Sequence, residues 1–200
     1  MGYVDLNANK KTNWCTPPKC RELLVQLGPL KLDACTSAHN WMQAEQFYTP
    51  ATNGFVQSWE CGQPGDGSAG RALTWCNFEW SRDTSGKWVR RVCEQGEKMR
   101  QNDTGELVTL APARPDTDWF RNLWRSADAI YFWKGRMTFY DPDTGAPVLF
   151  YSKKTKKWSS PPVPVPTLLA YWGRRTERFL EVFRQQGGVW FDLNLVRRAA

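Results

Sequence analysis

"TWCNFEWS", Thr74 to Ser81, is the stretch whose reading decides the fold. It begins inside an apolar run, Ala72-Leu73-Thr74-Trp75-Cys76, which reads as a buried strand. The run stops at Asn77, and Phe78, Glu79, Trp80 and Ser81 follow. A strand that ends in Asn and leads into large aromatics suits a loop that handles a nucleobase. It also suits an ordinary strand end. Glu79 stands in the middle of the loop, where something stiff and neutral would be expected.

Working outward, strands and helices alternate. "PPKCRELLVQLG" (17–28) has Pro at a helix start, Leu23, Leu24 and Leu27 at helical spacing, and Gly28 as a stop. "LKLDA" (30–34) reads as a short buried strand ending at Asp33. "SAHNWMQAEQF" (37–47) fits either a helix or an irregular loop, and Asn53-Gly54 marks a turn. After the strand at 71–77 comes a basic amphipathic helix, 86–101, with Trp88, Val92 and Met99 inward. A strand follows at 106–112, then a helix at 116–127 with Asp116 as its N-cap. Strands at 129–133 and 136–140 flank Lys134-Gly135, and a basic, Pro-rich loop covers 141–166. A strand at 167–173, a helix at 176–187 and a strand at 188–195 complete the chain. Residues 1–13 read as a flexible arm, and 14–200 as a single domain.

This alternation predicts an α/β fold, a Rossmann-like and mostly parallel sheet with helices on both faces. Ligands of such sheets bind at the carboxyl ends of strands. That rule nominates Asp33-Ala34-Cys35, Asn77 to Ser81 and Ala111 to Asp116. The chain has neither a G-x-G-x-x-G nor a P-loop.

The formal charge of +7 favours a polyanionic partner, and twelve Trp supply faces that stack on bases as well as core mass. The six Cys form no C-x-x-C pair, and His39 is the single His, so a zinc site is not expected. The polar start and the absence of a long apolar run predict neither a signal peptide nor a membrane span. Free thiols fit a reducing cytoplasm.

Six stretches in order, "NWCTP" (13–17), "LKLDACTSAHN" (30–40), "FYTPATNGFVQSW" (47–59), "WCNFEWS" (75–81), "TLAPARPDTDWF" (109–120) and "FWKGRMTF" (132–139), resemble the phage-type DNA adenine methyltransferases. The resemblance implies a class I methyltransferase-like sheet, S-adenosylmethionine as cofactor, DNA as partner and the cytoplasm of a bacterial host as location. The reaction it implies is methylation of an exocyclic amino group, adenine N6 first and cytosine N4 second. In the family the loop reads Asn-Pro-Pro-Tyr. The Asn side-chain oxygen and the first Pro carbonyl accept the target amino hydrogens, and the Tyr stacks on a flipped base. Carried over, these roles fall to Asn77, the Phe78 carbonyl and Trp80, with Glu79 the departure. Trp14, Thr16, Pro17, Asp33, Ala34, Asn53 and Asn77 fall around the donor. Asn53 stands where the family tends to have Asp.

Each reading has a plainer rival. Asp33 could cap the next segment, and Thr16-Pro17 could simply start a helix. Cys76 could act as a nucleophile in carbon-5 chemistry, or fill space as a small buried side chain. Lys153, Lys154, Lys156 and Lys157 could be a solvated run, or could meet DNA phosphates. A degenerate DNA-binding relative is the remaining alternative.

Overall fold

A computed structural model describes residues 14–63, 72–152, 155–160 and 163–199. The expected arm at 1–13, most of the 61–70 loop, Lys153 and Lys154 lie outside the described residues. The element order is α1 (Pro18–Leu27), β1 (Leu30–Asp33), β2 (Gln46–Phe47), β3 (Leu73–Cys76), α2 (Ser85–Asn102), β4 (Glu106–Pro112) and α3 (Asp118–Ser126). Then come β5 (Ala129–Phe132), β6 (Phe150–Ser152), β7 (Lys157–Ser159), β8 (Thr167–Trp172), α4 (Thr176–Arg184), β9 (Val189–Asp192) and α5 (Leu193–Ala199).

The fold is α/β, as expected. Seven strands form one sheet in the order β2-β1-β3-β4-β8-β5-β9. β2, β1, β3 and β4 pair in parallel, whereas β8 runs antiparallel to both β4 and β5, and β9 antiparallel to β5. The sheet is therefore mixed. Five strands share one direction, and β8 and β9 oppose them.

Helices cover both faces, and the strands obey period two between them. On β4, Val108 and Leu110 face the layer of α1 and α4, with Leu23, Leu24, Phe179 and Phe183. Leu107 and Ala111 face the layer of α2 and α3, with Val89, Val92, Phe120 and Leu123. β8 alternates in the same way, Leu169 and Tyr171 one way and Leu168, Ala170 and Trp172 the other. Trp59, Trp75 and Trp172 are fully buried, and each such side chain contributes about 1.5–3 kcal/mol. Gly96 of α2 sits against Trp172, whose ring occupies the space a Cβ would need.

The buried acids at the amino ends of the strands are structural. Arg175 donates twice to Glu106, at 2.8 and 2.6 Å. Arg100 donates to Asp128 at 2.8 Å, and Asp128 also accepts the Gly173 N–H.

Of the two readings of residues 37–47 the irregular loop holds, and it ends in the two-residue β2. Several other expectations need correction. The segment 136–140 is extended but joins no sheet; Tyr140 makes isolated bridges to Cys15 and Pro147. The long loop carries the β6–β7 hairpin. The final strand stops at Asp192, whose carboxylate accepts the N–H groups of Asn194 and Leu195 and starts α5. The N-cap of α3 is Thr117, whose hydroxyl accepts from the Phe120 N–H at 3.4 Å. Asp116 instead pairs with Arg114.

Candidate active site

β1 and β3 are parallel neighbours, with Asp33 in register with Trp75. Their carboxyl ends therefore lie side by side, and Asn77 leaves β3 beside the Asp33-Ala34-Cys35 turn. The Ala34 N–H donates to the Trp75 carbonyl at 2.8 Å, which fixes this juxtaposition.

Asn77 is half-buried. Its Nδ2 donates to Thr16 Oγ1 at 3.1 Å, and among the described residues its Oδ1 makes no hydrogen bond. Thr16 is buried, and its carbonyl accepts the Trp41 indole N–H at 2.8 Å. Pro17 is buried and occupies the N-cap of α1. Segment 14–17 is tied down by the reciprocal backbone bonds between Cys15 and Tyr140, at 2.8 and 3.0 Å. Thr16-Pro17 thus starts a helix and also lies beside Asn77; the two readings are compatible.

Asp33 is 1 % exposed. Burial pushes its carboxyl up to about 8, against the pull of hydrogen bonds from the Cys35 N–H and the Thr36 hydroxyl. The folded state therefore favours the protonated form. Its contribution to stability is complete below the ordinary carboxylate range and is lost as pH rises through about 8. Asp33→Asn removes that titration. Its stability relative to the parent is expected to rise between about pH 5 and about pH 8, as read from urea midpoints. An unchanged difference would mean that Asp33 ionises as freely as an exposed acid.

Trp80 is half-buried and meets Phe139 edge-on, with centroids 5.2 Å apart and an interplanar angle of 81°. Its indole N–H is buried and finds no acceptor among the described residues. Trp14, also half-buried, tilts against the same Phe139 at 6.3 Å. Trp14 and Trp80, far apart in sequence, thus share one aromatic partner in "KGRMTF". Residues from four of the six recognised stretches converge here.

That convergence agrees with a family model described as DNA N-6-adenine-methyltransferase (Dam), which matches residues 4–162. The chain belongs to the Dam family. No curated protein matches it. The matched span contains every element from α1 to β7, and β8, α4, β9 and α5 lie beyond it.

Within this Dam-family chain the remaining predicted residues are placed as follows. Ala34 is buried, and Gly54 packs against its carbonyl so closely that a Cβ there would overlap it. Asn53, exposed, adopts φ 52°, a left-handed conformation that Asn tolerates. Phe78 is 2 % exposed, with its ring in the core. Glu79 is exposed; its N–H reaches the Cys35 sulfur and its carbonyl accepts the Thr84 hydroxyl at 3.2 Å. Lys156 and Lys157 are exposed on the hairpin. Both ends of the hairpin rest on the site: the Val148 N–H donates to the Phe139 carbonyl and the Val163 N–H to the Met137 carbonyl. His39 is exposed, 3.1 Å from Asp143.

Cys76 is fully buried in the layer of α2 and α3, and burial pushes its thiol well above the ordinary range. A thiol in that state does not supply a thiolate nucleophile. Cys76→Ser is expected to retain most methylation activity, measured as product per unit of folded protein. A complete loss with intact folding would revive carbon-5 chemistry.

Sequence reasoning missed Trp41 and Phe139 as site-shaping residues. Pairing the Phe of "KGRMTF" with Trp14 and Trp80 takes contacts across 125 and 59 residues, which no local pattern carries.

Proposed function

We propose that this Dam-family protein transfers a methyl group from S-adenosylmethionine to N6 of adenine in DNA. The observation that carries the reading is Asn77. Its Nδ2 is held by Thr16, and among the described residues its Oδ1 faces no partner, at the carboxyl end of a strand beside a buried acid. A hydrogen-bond acceptor fixed in this way can orient an exocyclic amino group.

The residues present fit the donor. Asp33 supplies a buried carboxyl, and Thr16, Pro17, Ala34 and Asn53 lie on the segments around it, with Trp14 alongside. S-adenosylmethionine, when bound, supplies an electrophilic methyl group and a positive charge. Asn77 Oδ1 and the Phe78 carbonyl accept the amino hydrogens and aim the nitrogen lone pair. Trp80 offers its ring face, and an N–H that has no acceptor among the described residues, to a base taken out of the stack. Positioning of this kind needs no strong general base. Asp33→Asn should weaken donor binding about tenfold, about 1.4 kcal/mol, by calorimetry. Unchanged affinity in the folded variant would move the donor elsewhere.

The β6–β7 hairpin supports DNA as the partner. Lys156 and Lys157 project from it beside an exposed Tyr151–Trp158 pair with centroids 5.4 Å apart. Changing Lys153, Lys154, Lys156 and Lys157 to Gln should weaken binding to every DNA sequence and flatten its salt dependence, because phosphate contacts carry no sequence information. Loss confined to one sequence would mean that the hairpin reads bases. The location that fits this reading is the cytoplasm of a bacterial host. Among the described residues no helix is long and apolar enough to cross a membrane.

The direct test of the reaction is mass spectrometry of nucleosides from DNA treated with protein and donor. N6-methyladenine is expected. N4-methylcytosine, or no product, would overturn the assignment.

A further inference from the structure

The loop Asn77–Ser81 lacks both prolines of the pattern it resembles, so its backbone has no intrinsic stiffness at Phe78 and Glu79. A loop that aims two acceptors at one amino group must nonetheless hold them within a fraction of an ångström. The loop instead meets a set of restraints from α2 and the strand end beside it.

The ring of Phe78 lies parallel to Trp88 of α2, with centroids 6.3 Å apart and an interplanar angle of 10°. Trp88 is also met edge-on by Phe55 at 5.3 Å and stacked by Trp59 at 6.5 Å. It therefore joins the Asn77 loop to the 53–59 segment that packs on Ala34. Polar contacts hold the next residues. Thr84 Oγ1 bonds the Glu79 carbonyl at 3.2 Å and Ser81 Oγ at 2.6 Å. Ser85 Oγ donates to the Ser81 carbonyl at 2.7 Å, and the Ser85 N–H donates to the same carbonyl. The Glu79 N–H lies toward the Cys35 sulfur. Phe78 is thus gripped through its side chain, and Glu79 and Ser81 mainly through their main-chain groups.

We propose that Trp88 and Thr84 are positioning residues for methyl transfer, replacing by a stacked ring and a hydroxyl clamp the rigidity that proline rings would give. Trp88 fixes Phe78, and through it the carbonyl that accepts one amino hydrogen. Thr84 fixes Glu79 and the entry to Trp80. In this role both residues act through the loop and not on donor or base. The inference rests on the methyltransferase reading above.

The test compares Trp88→Ala, Trp88→Phe, Thr84→Val and Thr84→Ser in the full chain. Trp88→Ala and Thr84→Val should each lower kcat at least about tenfold, with donor affinity within about threefold of the parent. Trp88→Phe and Thr84→Ser, which keep a ring and a hydroxyl, should stay within about threefold in kcat. Amide hydrogen exchange across residues 77–81 should accelerate in the first pair and not in the second. A purely structural role would instead lower thermal stability and donor affinity together while leaving kcat per folded molecule unchanged, and that result would overturn the proposal. Should Trp88→Ala fail to fold, Thr84→Val decides by itself, because Thr84 is only half-buried, at the N-cap of α2. Failure of the parent protein to methylate adenine would sink the functional reading alone. The exchange rates would still decide whether α2 stiffens the loop, and unchanged exchange in both variants would sink the positioning claim alone.

Discussion

Asn77→Ala is expected to lower the rate of methyl transfer by about two to three orders of magnitude or more, while donor affinity stays within about threefold. In the proposed reaction the side chain serves as a fixed acceptor. Its Nδ2 is committed to Thr16, so Oδ1 cannot rotate away without breaking a 3.1 Å hydrogen bond. Alanine leaves no acceptor, and a water in its place would be neither oriented nor held. The fold should not suffer: Asn77 is half-buried, makes that single side-chain bond among the described residues, and packs in neither core layer. Single-turnover transfer of a labelled methyl group, beside calorimetric donor binding, separates the two effects. A rate within about tenfold of the parent would remove Asn77 from the chemistry.

The second large effect concerns stability. Gly54→Ala should destabilise the protein by about 3 kcal/mol or more, beyond ordinary overpacking, because the collision is with backbone. A Cβ at Gly54 would overlap the Ala34 carbonyl oxygen and come within 2.9 Å of Tyr48 Cβ. Ala34 cannot retreat, since its N–H is bonded to Trp75 inside the sheet. The 53–59 segment must therefore lift, and Trp59, fully buried and bonded through its indole N–H to the Gly54 carbonyl at 2.8 Å, lifts with it. For a chain of this size the melting temperature should fall by roughly 6–12 °C. A drop of less than about 2 °C would mean that the turn is free to move.

The sequence carried much of this architecture. The strand at 106–112 matches β4 to the residue, and the helices at 17–28 and 86–101 match α1 and α2 to within a residue or so. These elements have a clear apolar period and clear stops, which are local signals. β6 and β7 were read as loop because a run of lysines interrupts the alternation between Tyr151 and Trp158. α5 is not separated from the strand before it in the sequence reading, because apolar residues continue at Val189, Trp190, Phe191, Leu193 and Leu195 and the division lies in the capping carboxylate of Asp192. At the candidate site, the strand-end rule nominated Asp33 and Asn77 without contacts, and the structure sets their two strand ends side by side. That rule could not find Trp88 or Thr84, because their part is defined by what they restrain and not by any pattern of their own.

The place of β8 bears on how the molecule is made. It is the fifth strand in sheet order from the β2 edge, lying between β4 and β5, yet it is eighth in the chain. As the chain leaves the ribosome, the parallel half of the sheet and β5 emerge with apolar flanks and no strand to join them. Leu107 to Pro112 and Ala129 to Phe132 wait for Thr167 to Trp172, the common partner of both. At ordinary translation speeds that wait lasts roughly several seconds. The sheet closes only when its late central strand arrives. Nascent chains stalled before that point present two open strand edges to each other and to whatever chaperones are at hand.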